Sequence, residues 1–139
     1  MPAGTATNAF LLAESARIAD ACTACGDCVR ACPMTDYAPE TLAEPSATVH
    51  GIIDLLRGGP STSAALRFVA LCTRSGLCTP ACPEEPFDPA FMMRLAKLRA
   101  FGALGDAVRI PVKEDAQFSP RVKAFARLTM TEEEQAQWL

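Results

Sequence analysis

The sequence predicts an all-α fold made of two copies of one helix–loop unit, followed by a helical tail. Three observations predict it. No alternating apolar–polar run of strand length occurs, and the nearest candidate, "DAVRIPV", is broken by Pro111. Helix start and stop signals recur along the chain. Sliding the sequence by fifty residues aligns 17–39 with 67–89, with nine identities in 23 positions.

The elements follow in order. Asn8 is expected to cap a helix through "AFLLAESARIADA", with Phe10, Leu11 and Ile18 on its buried side. "ATVHGIIDLLRGG" is expected to be a helix that stops at Gly58-Gly59. Ser61, Thr62 or Ser63 can cap "SAALRFVALC", which delivers Cys72. In "DPAFMMRLAKLRAFG", Asp88 is the cap, Pro89 takes the first helical position and Gly102 is the stop. Ser119-Pro120 opens "RVKAFARL", and Thr131 with Glu134 makes a capping box before "QAQWL". Residues 1–102 are expected to form one domain, and 103–139 a helical extension.

The repeat centres on cysteine. "CTACGDCVRACP" runs from Cys22 to Pro33, and "CTRSGLCTPACP" from Cys72 to Pro83. The identities are Arg17/Arg67, Cys22/Cys72, Thr23/Thr73, Gly26/Gly76, Cys28/Cys78, Ala31/Ala81, Cys32/Cys82, Pro33/Pro83 and Pro39/Pro89. Tyr37 and Phe87 pair as aromatics. Cys25 alone among the first four cysteines has no counterpart, because Ser75 stands there.

Composition narrows the chemistry. A net charge of −3 gives no general attraction to nucleic acid or anionic membrane. The average hides a gradient: residues 1–56 carry two basic and seven acidic side chains, residues 94–127 eight basic and three acidic. The basic stretch is either a solvated face or a docking surface for an acidic partner. The N-terminal residues have no basic n-region of a secretory signal, and no apolar run approaches a bilayer span. The chain is therefore expected to be cytoplasmic, where thiols stay reduced and clustered cysteines point to metal.

Cys22, Cys25 and Cys28 are spaced by two residues, and Cys32 follows after three with Pro33 behind it. That is the iron–sulfur run of two-cluster ferredoxins, whose fourth cysteine serves the other cluster. Two-residue gaps let one loop wrap a cube and present three sulfurs to three irons, and Gly26 eases the wrap. Proline pushes the preceding residue out of the α region, so Cys32 and Cys82 leave their loops extended and can cross. One cluster is then expected on Cys22, Cys25, Cys28 and Cys82, the other on Cys72, Cys78 and Cys32. A structural zinc on Cys22, Cys25 and two later cysteines is the bland alternative. It leaves three cysteines idle and the repeat unexplained.

"CTRSGLCTPACP" resembles the three-iron site in the iron–sulfur subunit of succinate dehydrogenase and fumarate reductase. Residues 8–102 as a whole resemble the C subunit of heterodisulfide reductase, a helical two-cluster ferredoxin. The chain departs from that second family at Ser75, where an eighth cysteine is usual. It departs from the first because no Cys-x4-Cys-x2-Cys run precedes Cys22. A serine hydroxyl is much harder to deprotonate than a thiol, and the iron favours thiolate. The expectation is therefore one 4Fe-4S cluster and a second, 3Fe-4S in preference to 4Fe-4S, with Ser75 at the vacant corner.

No catalytic acid–base pair, Ser-His-Asp set or phosphate-binding loop stands out. Clusters with every protein corner occupied are poor sites for substrate chemistry and exchange single electrons, so the expected role is that of an electron-transfer subunit of an oxidoreductase complex. The heterodisulfide resemblance implies a flavoprotein subunit and a catalytic iron–sulfur subunit as partners. The succinate dehydrogenase resemblance implies a quinone-linked complex instead, and an iron–sulfur sensor or assembly module is a third reading. Thr23, Thr73, Thr79 and Arg74 are candidates to hydrogen-bond cluster sulfur. His50 reads as a surface histidine, Met92 and Met93 as packing residues. The tail, with its basic stretch and Trp138, either binds a partner or packs on its own domain.

Overall fold

A computed structural model describes residues 3–102, 104 and 111–138. The helices are α1 (Ala3–Ala21), α2 (Asp27–Arg30), α3 (Glu40–Ala43), α4 (Pro45–Leu56), α5 (Ser63–Leu71), α6 (Pro89–Phe101), α7 (Phe118–Thr129) and α8 (Glu132–Trp138). Short 3-10 turns cover Pro33–Tyr37 and Val112–Glu114. Among the described residues there is no strand, and the fold is all-α as the sequence predicts. Part of the expected tail, residues 103, 105–110 and 139, lies outside the described residues, and with it most of "DAVRIPV".

The helix ends follow local chemistry. Thr62 caps α5 by accepting from the Ala65 N–H at 3.2 Å, and Asp88 caps α6 by accepting from Ala90 at 2.9 Å. After α4 the chain turns left-handed at Gly58, φ 77°. The Gly58 and Gly59 amides then donate to the Leu55 and Asp54 carbonyls, at 2.9 Å each. This is a Schellman closure. The capping box before α8 forms as expected: the Thr131 N–H donates to Glu134 at 2.8 Å, and the Glu134 N–H donates back at 3.2 Å.

Two expectations at the N-terminus are corrected. Helix α1 is already under way at Ala3, so Asn8 lies inside it and caps nothing. Phe10 is 59% exposed, because the face that meets the core passes through Leu11, Ser15 and Ile18 instead. These three are spaced four and three residues apart, the spacing of one helix face. The buried Ser15 hydroxyl is satisfied by the Leu11 carbonyl at 2.8 Å.

The core lies where α1, α4, α5 and α6 converge, around Ile18, Ile52, Leu56, Phe68, Met92 and Leu95. Helices α4 and α5 approach so closely at Gly51 that a Cβ there would sit 2.5 Å from the Ala65 Cβ. A smaller apolar cluster of Met34, Ala38, Leu71 and Ala124 docks α7 against the 3-10 turn and α5. Arg121 secures the same contact, donating to the Ala70 carbonyl at 2.7 Å and pairing with Asp115. Arg127 stacks over the Tyr37 ring, 5.4 Å from its centroid. Helix α7 thus rests on the repeat domain.

Candidate metal centre

The two repeat units converge on two facing loops. Helix α1 delivers Cys22, whose N–H still donates to the Ile18 carbonyl at 2.9 Å, and α5 delivers Cys72, donating to Val69 at 3.3 Å. Each chain then turns left-handed twice at matching positions. Ala24 and Arg74 have φ 56° and 62°, Gly26 and Gly76 have φ 85° and 75°. Each loop closes alike: Val29 N–H to Gly26 O at 3.1 Å, and Thr79 N–H to Gly76 O at 3.1 Å. Gly26 is needed twice over, because a Cβ there would also meet Pro45 at 2.7 Å, whereas Gly76 faces open space.

Cys32 exits extended, φ −79° and ψ 123°, as Pro33 dictates. The segments beyond the two Cys-Pro turns cross between halves. Arg17 at the end of α1 donates to the Pro86 carbonyl at 2.7 Å, and Arg67 on α5 donates to the Tyr37 carbonyl at 3.2 Å. The repeat identity Arg17/Arg67 is therefore a pair of reciprocal ties, a role that sequence spacing did not reveal. Each arginine also pairs with an acid, Glu14 and Glu40 respectively.

All seven cysteines come together around two adjoining cavities. The first is bounded by Cys22, Cys25, Cys28 and Cys82, with Glu84 its one charged wall residue. The second is bounded by Cys32, Cys72, Cys78 and Ser75, with Arg74 and Arg94 nearby, and Cys28 lies on the wall common to both. Ser75 thus stands among three thiols; its exposed hydroxyl accepts from the Leu77 N–H at 3.5 Å. Among the described residues, no three His, Cys, Asp or Glu gather tightly enough to hold a single metal ion.

The donor set fits iron–sulfur chemistry, since it is all soft sulfur arranged around a space and not about a point. The second cavity encloses about 230 Å³. The first encloses only about 10 Å³. That is about the space a single water needs, so the four cysteines Cys22, Cys25, Cys28 and Cys82 lie close together.

Electrostatics report the same neighbourhoods. Burial pushes the Cys28 thiol up to about 12, with Cys78 and Cys22 next to it adding to the shift. Cys78 is pushed up to about 11, first by burial and then by Cys72. Burial also raises Cys32, where Cys72 adds and the Met34 amide opposes. Burial raises Cys22, with Cys25 and Cys82 adding and the Ala24 amide opposing, its N–H 3.4 Å from the sulfur. Crowded, half-buried thiols of this kind hold their protons until a cation displaces them.

Other candidates sort clearly. Thr79 donates to Asp88 at 2.7 Å, so its hydroxyl is committed to the α6 cap and not to cluster sulfur. Thr23 lines the first cavity and Thr73 the second. His50 is exposed on α4, while Met92 and Met93 are buried. Lys97, which nothing in the sequence singled out, is half-buried and donates to the Cys72 carbonyl at 3.4 Å.

A helical scaffold that brings seven thiols around two adjoining spaces fits the class of iron–sulfur, ferredoxin-like proteins. Residues 21–86 match the family model described as a 4Fe-4S dicluster domain. The match spans just under half of the chain, holds every cysteine, and supports an iron–sulfur protein with an electron-transfer role. No curated protein and no solved structure matches the chain.

Proposed function

We propose that the chain is an electron-transfer subunit. It relays single electrons between a flavin-bearing subunit and a catalytic iron–sulfur subunit of a heterodisulfide-reductase-like complex. The observation that carries this reading is the exchange between halves: Cys82 stands with the first loop's thiols and Cys32 with the second's. We assign Cys22, Cys25, Cys28 and Cys82 to a 4Fe-4S cluster. Cys72, Cys78 and Cys32 are assigned to a second cluster, 3Fe-4S, with Ser75 at the corner that lacks a thiol.

Clusters of this kind supply one-electron exchange at potentials set by their surroundings. The chain's residues do the rest. The left-handed turns fold each loop around its space, partial burial limits water at the thiols other than the exposed Cys25, and the Cys28 wall brings the two spaces side by side. Residues 1–102 form the two-cluster domain in this scheme, and the extension 103–139 serves partner contact. A reducing cytoplasmic setting, in which thiolates persist, suits the chemistry.

The test is an iron count with electron paramagnetic resonance of anaerobically purified protein, first oxidised and then reduced. A three-iron signal on oxidation and a four-iron signal on reduction are expected, at about seven irons per chain. A colourless, zinc-containing protein would sink the reading. Loss of iron on redox cycling, with a change of binding partner, would favour a sensor.

A further inference from the structure

Beside the second cysteine loop lies a surface that the relay itself leaves unused. An open groove of about 370 Å³ runs between that loop and α7, with Cys72 and Thr73 on its floor. Arg74, Lys97 and Arg121 bring three cations to it. Only Arg121 has a carboxylate partner, Asp115. Lys97 spends one proton on the Cys72 carbonyl, and Arg74 makes no hydrogen bond or ion pair among the described residues. Among the groove's side chains, three cations thus face one carboxylate.

The opposite wall is apolar. Phe118, Val122 and Phe125 recur at helical spacing along α7 and are 44%, 39% and 58% exposed. Phenylalanines left in water beside uncompensated cations form a surface with two complementary demands, for negative charge and for an apolar contact. The first cavity shows the reverse polarity, since Glu84 is the only charged residue lining it.

We propose that this groove is the docking face for an acidic protein electron carrier, whose carboxylates meet Arg74 and Lys97 and whose apolar tip lies on Phe118 and Phe125. The inference rests on the relay reading above and adds which face exchanges electrons and with what kind of surface. A carrier seated there would lie against Cys72, one of the residues assigned to the second cluster. Local charge overrides the chain's overall −3, which by itself repels anions.

The experiment uses the full chain, with both clusters verified by iron content and paramagnetic signals, reduced and mixed by stopped flow with hexacyanoferrate(III). One electron leaves the reduced second cluster and converts the probe to hexacyanoferrate(II); no proton or bond moves. The rate is expected to fall roughly tenfold between about 10 and 200 mM salt, because attraction within a Debye length is screened. Arg74→Glu is expected to slow the low-salt reaction about tenfold.

In a second arm a flavodoxin, an acidic one-electron carrier, replaces the anion. Phe125→Ala should weaken that protein's reaction severalfold and leave hexacyanoferrate unaffected. A rate that rises with salt, or no response to Arg74→Glu, overturns the proposal while the clusters, and so the relay, stand. No effect of Phe125→Ala on flavodoxin also overturns it. So does a dimer of the chain alone that Arg74→Glu dissociates, since the face would then belong to a second copy. A preparation without clusters removes the relay reading and this proposal together.

Discussion

Ala24 and Arg74, fifty positions apart, hold the same left-handed backbone, φ 56° against 62°. Neither is glycine, so both loops accept a conformation that costs an L-residue about 1–2 kcal/mol. The same cost recurs at the same position of both loops. Arg74→Gly should relieve it. After the ~0.5–1 kcal/mol of extra entropy that glycine loses on folding, the gain is modest. We expect the thermal midpoint, followed by circular dichroism at equal iron loading, to rise by about 2–4 °C. A fall would mean that the Arg74 side chain contributes more than its backbone costs.

Ser75→Cys restores the missing thiol beside Cys32, Cys72 and Cys78. The second site should then hold a four-iron cluster, with the three-iron signal lost and iron content rising from about seven to about eight per chain. An unchanged spectrum would place the serine away from the cluster corner.

Gly51 inverts a common rule. Replacing an exposed helix-interior glycine with alanine usually stabilises by about 0.5–1 kcal/mol. Here the new methyl would lie 2.5 Å from the Ala65 Cβ and 2.8 Å from the Thr62 hydroxyl that caps α5. Overpacking of this kind costs about 1–3 kcal/mol. Gly51→Ala should therefore lower the midpoint of thermal unfolding; a rise would show that α4 and α5 can separate freely.

Docking of α7 should weaken in acid. The guanidinium of Arg121 hydrogen-bonds Asp115 and holds its carboxyl below the usual range, with the Gln117 amide helping. A carboxylate with a depressed folded-state pKa contributes stability that is fully present above the ordinary carboxylate range, near 4. That contribution is lost as pH falls through the depressed value. Protection of α7 amides, taken relative to their intrinsic exchange rates at each pH, should fall over this window, and Asp115→Asn should show the lower protection already at neutral pH. Equal protection at both pH values would mean that the apolar contact of Ala124 with Met34 and Leu71 holds α7 alone.

What the sequence disclosed was chiefly local or periodic. The caps at Thr62, Asp88 and Thr131 were legible because the hydroxyl or carboxylate lies two or three residues from the amide it serves. The repeat was legible as identity, and both its glycines take the backbone that identity suggested. The ties of Arg17 and Arg67 were not, since their acceptors lie 69 and 30 residues away and are backbone carbonyls, which carry no side-chain signature. The start of α1 was not legible because Ala, Gly and Thr precede Asn8, and propensity there is a weak guide. The groove was hidden for a similar reason. The charge count located a basic stretch, but only packing of α7 on Leu71 and Met34 aims Phe118 and Phe125 at the Cys72 loop.

The reciprocal ties also impose an order of events during synthesis. Cys22, Cys25 and Cys28 leave the ribosome early, yet the wall that completes their cavity arrives with Cys82, and the carbonyl that anchors Arg17 belongs to Pro86. Until that point the first cavity lacks its fourth cysteine and Arg17 lacks its carbonyl anchor. A metal centre held by all four of those cysteines could be seated only after the second half is made.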